Sequence, residues 1–404
     1  MSSPEPSAVP ALDSRCASAA VEGVLPRELL IEVMVLLPAK EVCRLRAVCP
    51  SWRSLTCDPL FVAAHAARRP GPLLAVLSSS LRIDLVDQSG DAVKRIRYNM
   101  GDHDARVLCA RFDCVFVAGE NHSVSVLEPI SGSIFTLPGG IAEALSCPTG
   151  HAAWFAFGQV ASTGEYKLVR VVEEGPETDP VCEVFTFGKG FGQWRKNKSL
   201  PAYHDEIGQW RAMECPPAYL DPSCTNGVVV NRAAYFLFDH WQLDEPYIHN
   251  YDMEPGCIPS LNLETEHWSV ALQGPLSRIL EEADGMHYRD LADRLMLGEI
   301  KGCLVMSHCN DQTSTIDLWF LTDFENSVWS KQYKISVEYV ASDLVEGAFP
   351  LLVLDEEVII LSVRTGSKCV LLIYDSKTNS AKNVLKMYCN IFGGVGIYTG
   401  SLLH

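Results

Sequence analysis

Apolar residues recur along this chain at two different periods. From residue 26 to residue 49 the period is helical. Pro26 suits a first helical position, where its missing N–H costs nothing. Leu29, Leu30, Val33, Met34 and Leu37 then fall at i, i+1, i+4, i+5 and i+8, one face of a helix that Pro38 ends. A second run places Val42, Leu45, Val48 and Cys49 inward, with Lys40, Glu41, Arg44 and Arg46 outward. Inside a helix Pro50 would cost about 3 kcal/mol. A break is therefore expected there, with Cys49 as cap and Pro50 opening a third helix. Three short helices cannot bury this much apolar surface among themselves. Part of it is expected to face a partner.

Beyond residue 72 the pattern changes to many short strands rich in Val, Ile, Phe and Tyr, each bounded by polar or Gly-containing turns. Leu73–Leu77, Val115–Ala118, Lys167–Val172, Ile316–Leu321 and Val358–Ser362 are examples. Within 275–295, Leu276, Ile279 and Leu280 allow one short helix. Strand–turn–strand elements beginning at Leu85, Leu127, Phe187, Leu263, Leu321 and Tyr374 align as a weak repeat with a mean spacing of about 58 residues. Six such units predict a six-bladed β-propeller-like domain of four-stranded blades; a pair of β-sandwiches stays open as the alternative. Trp194, Trp268 and Trp329 open the strand after the turn and are expected between blades. The last apolar run, Ile391 to Tyr398, is expected to pair near the first strands and remove a free edge. The chain then reads as an α+β multidomain protein. Residues 1–22 form a Ser-, Pro- and Ala-rich disordered arm, residues 23–66 a three-helix module, 67–72 a stiff Pro-Gly-Pro linker, and 73–404 one large all-β domain.

Charge and cysteine usage narrow the function. The net charge of −17 over 404 residues argues against nucleic-acid binding, which needs a basic footprint. Residues 25–69 run against this balance, with seven Lys and Arg to four Asp and Glu. No run approaches the ~20 uncharged apolar residues of a membrane helix, and the first residues lack the pattern of a secretory signal. Fifteen cysteines with no C-x-x-C pair fit buried thiols in a reducing compartment, cytoplasmic and/or nuclear.

The helical stretch closely resembles an F-box. Leu25-Pro26 open the motif, Leu29, Val33 and Leu37-Pro38 keep its spacing, and Val42, Leu45 and Val48 continue it. Cys49, Trp52 and Leu55 close it, and Asp58-Pro59-Leu60-Phe61 followed by His65 is similar to the exit of plant members. Pro50 departs from the family, which usually has Lys there. The resemblance implies a docking module that binds an acidic Skp-type adaptor, and through it a cullin, by way of Leu25, Pro26, Leu29, Val33, Leu37, Pro38, Val42, Leu45, Val48, Cys49 and Trp52. The following region resembles the F-box-associated β domain of plant proteins. It has no Trp-Asp dipeptide, and Gly-Gly occurs only at Gly139-Gly140 and Gly393-Gly394, unlike regular propeller repeats.

Catalytic signatures are missing: no G-x-S-x-G, H-E-x-x-H, G-x-x-x-x-G-K-[ST] or G-x-G-x-x-G appears. No enzyme activity, cofactor or metal is expected. His240 and His249 with their neighbouring acids match no ligand spacing, and Cys303, His308 and Cys309 read as strand residues. The expected role is the substrate-recognition subunit of an Skp–cullin–F-box ubiquitin ligase, with an F-box scaffold outside degradation, or a propeller hydrolase, as alternatives. The target protein is expected on long loops at 200–226 and 239–259. Tyr203, Trp210, Tyr219, Trp241 and Tyr247 there either hold an interface or cap the core.

Overall fold

The computed structural model describes residues 26–37, 39–68, 71–79, 82–98, 105–119, 122–142, 152–173, 180–188, 191, 207–222, 226–239, 254–282, 290–291, 294–337, 345–354, 357–366, 368–388, 394–399 and 402. The chain divides into two compact units, Met1–Arg69 with Ser401–His404, and Pro70–Gly400.

Among its described residues the first unit holds four short helices, one more than the three expected: α1 (Arg27–Met34), α2 (Ala39–Leu45), α3 (Pro50–Thr56) and α4 (Pro59–Ala67). Proline placement explains two of the boundaries. Pro50 opens α3 after Cys49, whose extended backbone serves as the N-cap, as the sequence predicts. Pro59 opens α4, and the Asp58 carboxylate accepts the N–H of Leu60 at 2.9 Å, satisfying one of the free donors of the first turn. Met34, Val35, Val42, Leu55 and Phe61 form the core. Two polar contacts fasten the helices. His65 Nε2 donates to the Leu37 carbonyl at 2.8 Å, and Arg46 donates to the Thr56 carbonyl at 3.0 Å. Arg46 thus serves the inside of the unit, not its outward face.

The second unit is a six-bladed β-propeller, whose described residues form 24 strands in six four-stranded sheets. Blade 2 is β4 (Arg106–Arg111), β5 (Cys114–Ala118), β6 (Val124–Leu127) and β7 (Ile134–Thr136). Blade 3 is β8 (Ala153–Gln159), β9 (Tyr166–Val172), β10 (Val181–Phe187) and β11 (Gly208–Ala212). Blade 4 is β12 (Val228–Val230), β13 (Ala233–Tyr235), β14 (Cys257–Asn262) and β15 (Trp268–Gln273). Helix α5 (Leu276–Glu282) follows, the one helix expected in this region. Blade 5 is β16 (Leu295–Ile300), β17 (Cys303–Asn310), β18 (Thr315–Asp323) and β19 (Val328–Ser336). Blade 6 is β20 (Gly347–Leu354), β21 (Val358–Thr365), β22 (Lys368–Asp375) and β23 (Ser380–Tyr388).

Blade 1 closes the ring. Its outer strands β1 (Leu73–Ser79), β2 (Arg82–Val86) and β3 (Ala92–Arg97) come from the start of the domain, and its inner strand β24 (Val395–Tyr398) from the end. Leu73 opposes Tyr398 and Val76 opposes Val395, so the two ends of the domain are joined by a backbone ladder. This is the closure the sequence predicts.

The weak sequence repeat is the hairpin between the third and fourth strands of each blade. In blades 1, 4, 5 and 6 an acidic or amide side chain caps this turn. Asp87, Asn262, Asp323 and Asp375 accept backbone N–H groups two to four residues on. In blade 2, Glu128 does so from one residue further back. Blade 3 corrects the alignment. Phe187 ends β10, but the outer strand that pairs with it starts at Gly208. Trp194 lies outside the described residues, and Trp210 holds the tryptophan position of the repeat.

Candidate functional site

Helix α1 carries apolar residues on two faces, because the helix is only half covered. Met34 and Val35 are buried, and Leu30, Ile31 and Leu37 are half-buried against the core. Leu29 and Val33, at i and i+4, face outward instead and are 43 and 49% exposed, and Leu36, in the turn after the helix, is 67% exposed. The single face expected from spacing is thus split between core and solvent.

The other motif residues divide in the same way. Val42 is buried, while Leu45, Cys49 and Trp52 are half-buried and Pro26 is exposed. Val48 was expected inward and is 61% exposed. The reason is that α2 ends at Leu45 and residues 46–48 turn, so helical spacing no longer sets its direction. Leu25 and Pro38 lie outside the described residues. The Cys49 thiol is held below its ordinary range by hydrogen bonds from the Ser51 hydroxyl and the Trp52 backbone. Leu36 and Leu60, the latter 80% exposed, extend the apolar surface beyond the motif positions. Sequence reasoning missed Leu36, because it falls in the turn after α1, where helical spacing no longer sets its direction.

In the propeller the loop aromatics are less free. Trp210 lies on strand β11, not in a loop. Its indole N–H donates to the Pro138 carbonyl of blade 2 at 2.9 Å, and the Arg170 guanidinium stacks 3.9 Å from its ring centre. Trp268 of blade 4 donates likewise to the Glu214 carbonyl after blade 3, at 2.9 Å, and Trp329 of blade 5 to Gln273 of blade 4, at 2.7 Å. Three successive blade junctions therefore share one device, an outer-strand indole tied to a carbonyl of the preceding blade. Trp210 is spent on this bond. Tyr219 is half-buried, and its carbonyl accepts the N–H of Asp239 at 2.8 Å. Tyr203, Trp241 and Tyr247 lie outside the described residues.

Buried charge braces the blades. Arg170 and Glu183, opposite each other on β9 and β10, are fully buried and 2.5 Å apart. Glu183 also accepts the N–H groups of Ile141 and Ala142, at 2.6 and 3.2 Å, which ties blade 2 to blade 3. In blade 5, burial pushes the His308 imidazole down to about 4 and raises the carboxyl of Asp317, which Lys331 meets at 3.3 Å. In blade 3, burial, and then the charge of Asp239, push Glu173 up to about 7.

The first strand of every blade lines the axis. A cavity of about 220 Å³ remains there, walled chiefly by Leu108, Phe155, Val228, Leu297, Phe349 and Val395. Cys109 also faces it, its thiol pushed up to about 12 by burial. Among the described residues no group of three metal-ligating side chains occurs, and no helix is long and apolar enough to cross a membrane.

Comparison with known proteins settles the identity of the helical unit. Residues 23–64 match the F-box-like family. The chain carries an F-box-like domain. Over most of its length it is similar to F-box proteins of Arabidopsis thaliana. Identity is 21% to F-box protein CPR1, over 78% of this chain and 73% of that protein. It is 22% to F-box/kelch-repeat protein At3g23880, over 85% of this chain and 86% of that one. Both similarities extend well beyond the helical unit. Among solved structures the chain is similar to TolB from Acinetobacter baumannii at 11% identity and a TM-score of 0.42, over 77% of this chain and 63% of that one. That likeness is too loose to bear on function.

Proposed function

We propose that this protein is the substrate-recognition subunit of an Skp–cullin–F-box ubiquitin ligase, working in the cytoplasm and/or nucleus. The observation that carries the reading is the exposure of Leu29 and Val33 on the first helix of an F-box-like unit, with Leu36, Val48 and Leu60 also exposed in the same unit. An apolar surface of this kind on a small unit marks a protein contact, and in F-boxes the partner is an Skp-type adaptor. The basic balance of residues 25–69 suits an acidic adaptor and would speed its encounter. The protein itself performs no chemistry in this reading. It raises the effective concentration of a target beside the ubiquitin-transfer machinery. The module would span residues 23–66, with 67–72 as linker and the β domain from residue 73 onward.

Target capture falls to the propeller. Of the aromatic residues expected there, Tyr219 remains as a described candidate, together with Tyr203, Trp241 and Tyr247, while Trp210 is proposed instead as a blade staple. A pull-down with purified adaptor and cullin tests the assignment. The intact chain should recover both, and Leu29→Glu with Val33→Glu should recover neither while the propeller still melts normally. Recovery of adaptor without cullin would favour a scaffold outside degradation. Undiminished recovery by the double variant would overturn docking through α1.

A further inference from the structure

Two cysteines of blade 3 meet at one backbone carbonyl. Cys182, on β10, is buried, and Cys215, past the end of β11, is half-buried. The Cys215 thiol donates to the Pro180 carbonyl at 3.1 Å, and the Cys182 sulfur stands 4.0 Å from the same oxygen. The two thiols are also hydrogen-bonded to each other. Both are free, and both pack in one apolar cluster with Phe236 and Trp268.

Register explains the meeting. The Cys182 carbonyl accepts the N–H of Met213 at 2.9 Å, so Cys215, two residues on, falls diagonally across from Cys182 on the same face. A disulfide wants its Cβ atoms about 3.5–4.5 Å apart, closer than a ladder holds a diagonal pair. Cys215 can make up the difference because it stands outside the ladder. Among the described residues the last backbone bond between these two segments is the one from Met213. The residue between gives the contact a consequence. Glu214 supplies the carbonyl that accepts the Trp268 indole N–H, the staple of blades 3 and 4. A covalent bond at Cys215 would hold that carbonyl from one side while Met213 holds it from the other.

We propose that Cys182 and Cys215 are a redox-sensitive pair that closes to a disulfide on meeting a hydroperoxide and so locks the junction of blades 3 and 4. Cys215, the more accessible, reacts first. Its thiolate attacks one peroxide oxygen, the O–O bond breaks, and hydroxide leaves as the sulfur becomes a sulfenic acid. The Cys182 thiolate then attacks that sulfur, the S–O bond breaks, and the oxygen takes up a proton and leaves as water. Two thiols and one hydrogen peroxide thus give one disulfide and two waters. Burial, and then the hydrogen bond with Cys215, push the Cys182 thiol up, so the second step is the slow one. The pair stays reduced in a reducing compartment and answers to sustained oxidation. Closure does not depend on what the helical unit binds.

The full chain, reduced and then freed of reductant, is treated with hydrogen peroxide and mapped by peptide mass without reduction. One cross-linked peptide joining Cys182 to Cys215 is expected, lost on adding dithiothreitol. The closed loop of about 33 residues should raise the melting temperature by about 5 °C. Exchange of the Trp268 indole N–H should slow, which reads the junction itself. Raising the pH by one unit should speed closure by up to about tenfold, as more of the Cys182 thiol ionises. In Cys182→Ala the sulfenic acid on Cys215 should persist and be captured by dimedone. Cys215→Ser, which keeps a hydroxyl for the Pro180 carbonyl, should fold as the reduced chain does and show no shift with peroxide. No linked peptide from the folded chain, a link that forms as readily in concentrated urea, or a disulfide that leaves both melting and Trp268 exchange unchanged would each overturn the proposal.

Discussion

The helical unit and the propeller use the same apolar residues to opposite ends. In the helical unit Leu29, Val33, Leu36, Val48 and Leu60 stand in solvent. The far longer propeller exposes only Val93, Ile141 and Val328 among its described large apolar side chains. Its sheets have faces to cover them. Strands β5 and β6 are buried at every residue, and the clusters around Phe116 and Met306 run from blade to blade. Four helices of seven to nine residues offer no second layer. One unit closes its own core. The other is left with an apolar face that another protein can complete.

The strongest way to break this contrast is to open the ring. Ending the chain before Val395 removes β24, leaves the edge of β1 unpaired and strips one wall from the axis. The cooperative calorimetric transition of the β domain is expected to vanish. An unchanged melting curve would show that closure does not hold the propeller together.

Next in size is the buried pair. Arg170→Ala leaves Glu183 without its ion partner and should cost about 3–5 kcal/mol by denaturant unfolding. Replacing both, as Arg170→Met with Glu183→Leu, should cost less than the single change. A double variant worse than the single would place the stabilisation in the ion pair itself.

Much of the propeller was legible in the chain because local chemistry repeats. The capped outer hairpin recurs as Asp87, Asn262, Asp323 and Asp375, and the first and last apolar runs fit one sheet. The break at Cys49-Pro50 was legible for the same reason, since proline acts on its nearest neighbours. What depends on register was not. Arg170 and Glu183 become a pair only once β9 and β10 align. Trp210 read as a loop residue because the chain between β10 and β11 is long and Trp194 offered a better-spaced substitute. The exposure of Val48 turned on where α2 ends. The axis draws one strand from every blade, so no stretch of sequence displays it.

Acid should weaken the propeller through His308. Its folded value of about 4 lies below the ordinary 6.5, so between these pH values the unfolded chain holds a proton that the folded chain refuses. Stability is fully kept above 6.5 and falls as pH drops towards 4, by an amount on the order of 3 kcal/mol. Glu173 acts in the opposite sense. Raised to about 7 from 4.5, it keeps a proton in the fold that the unfolded chain has released, so its contribution declines as pH rises through that window. Denaturant midpoints between pH 4 and 7.5 should flatten on the acid side in His308→Gln and on the neutral side in Glu173→Gln.

The smallest effect on stability separates the two kinds of apolar residue within the helical unit. Val42 is fully buried, and Val42→Ala should cost about 2 kcal/mol through lost burial and the cavity left behind. Leu36 is 67% exposed and Val33 49%, so Leu36→Ser or Val33→Ser should change stability by no more than about 0.5 kcal/mol each. Hydrogen exchange at the amides of α1 reads this unit alone, free of the larger propeller signal. Exchange should quicken in Val42→Ala and stay unchanged in the serine variants, while adaptor capture fails in all of them. The buried change acts by unfolding the docking helix and the exposed changes by stripping its surface. If the serine variants speed exchange as much as Val42→Ala does, the outward stripe serves the unit's own fold, and its exposure says nothing about a partner.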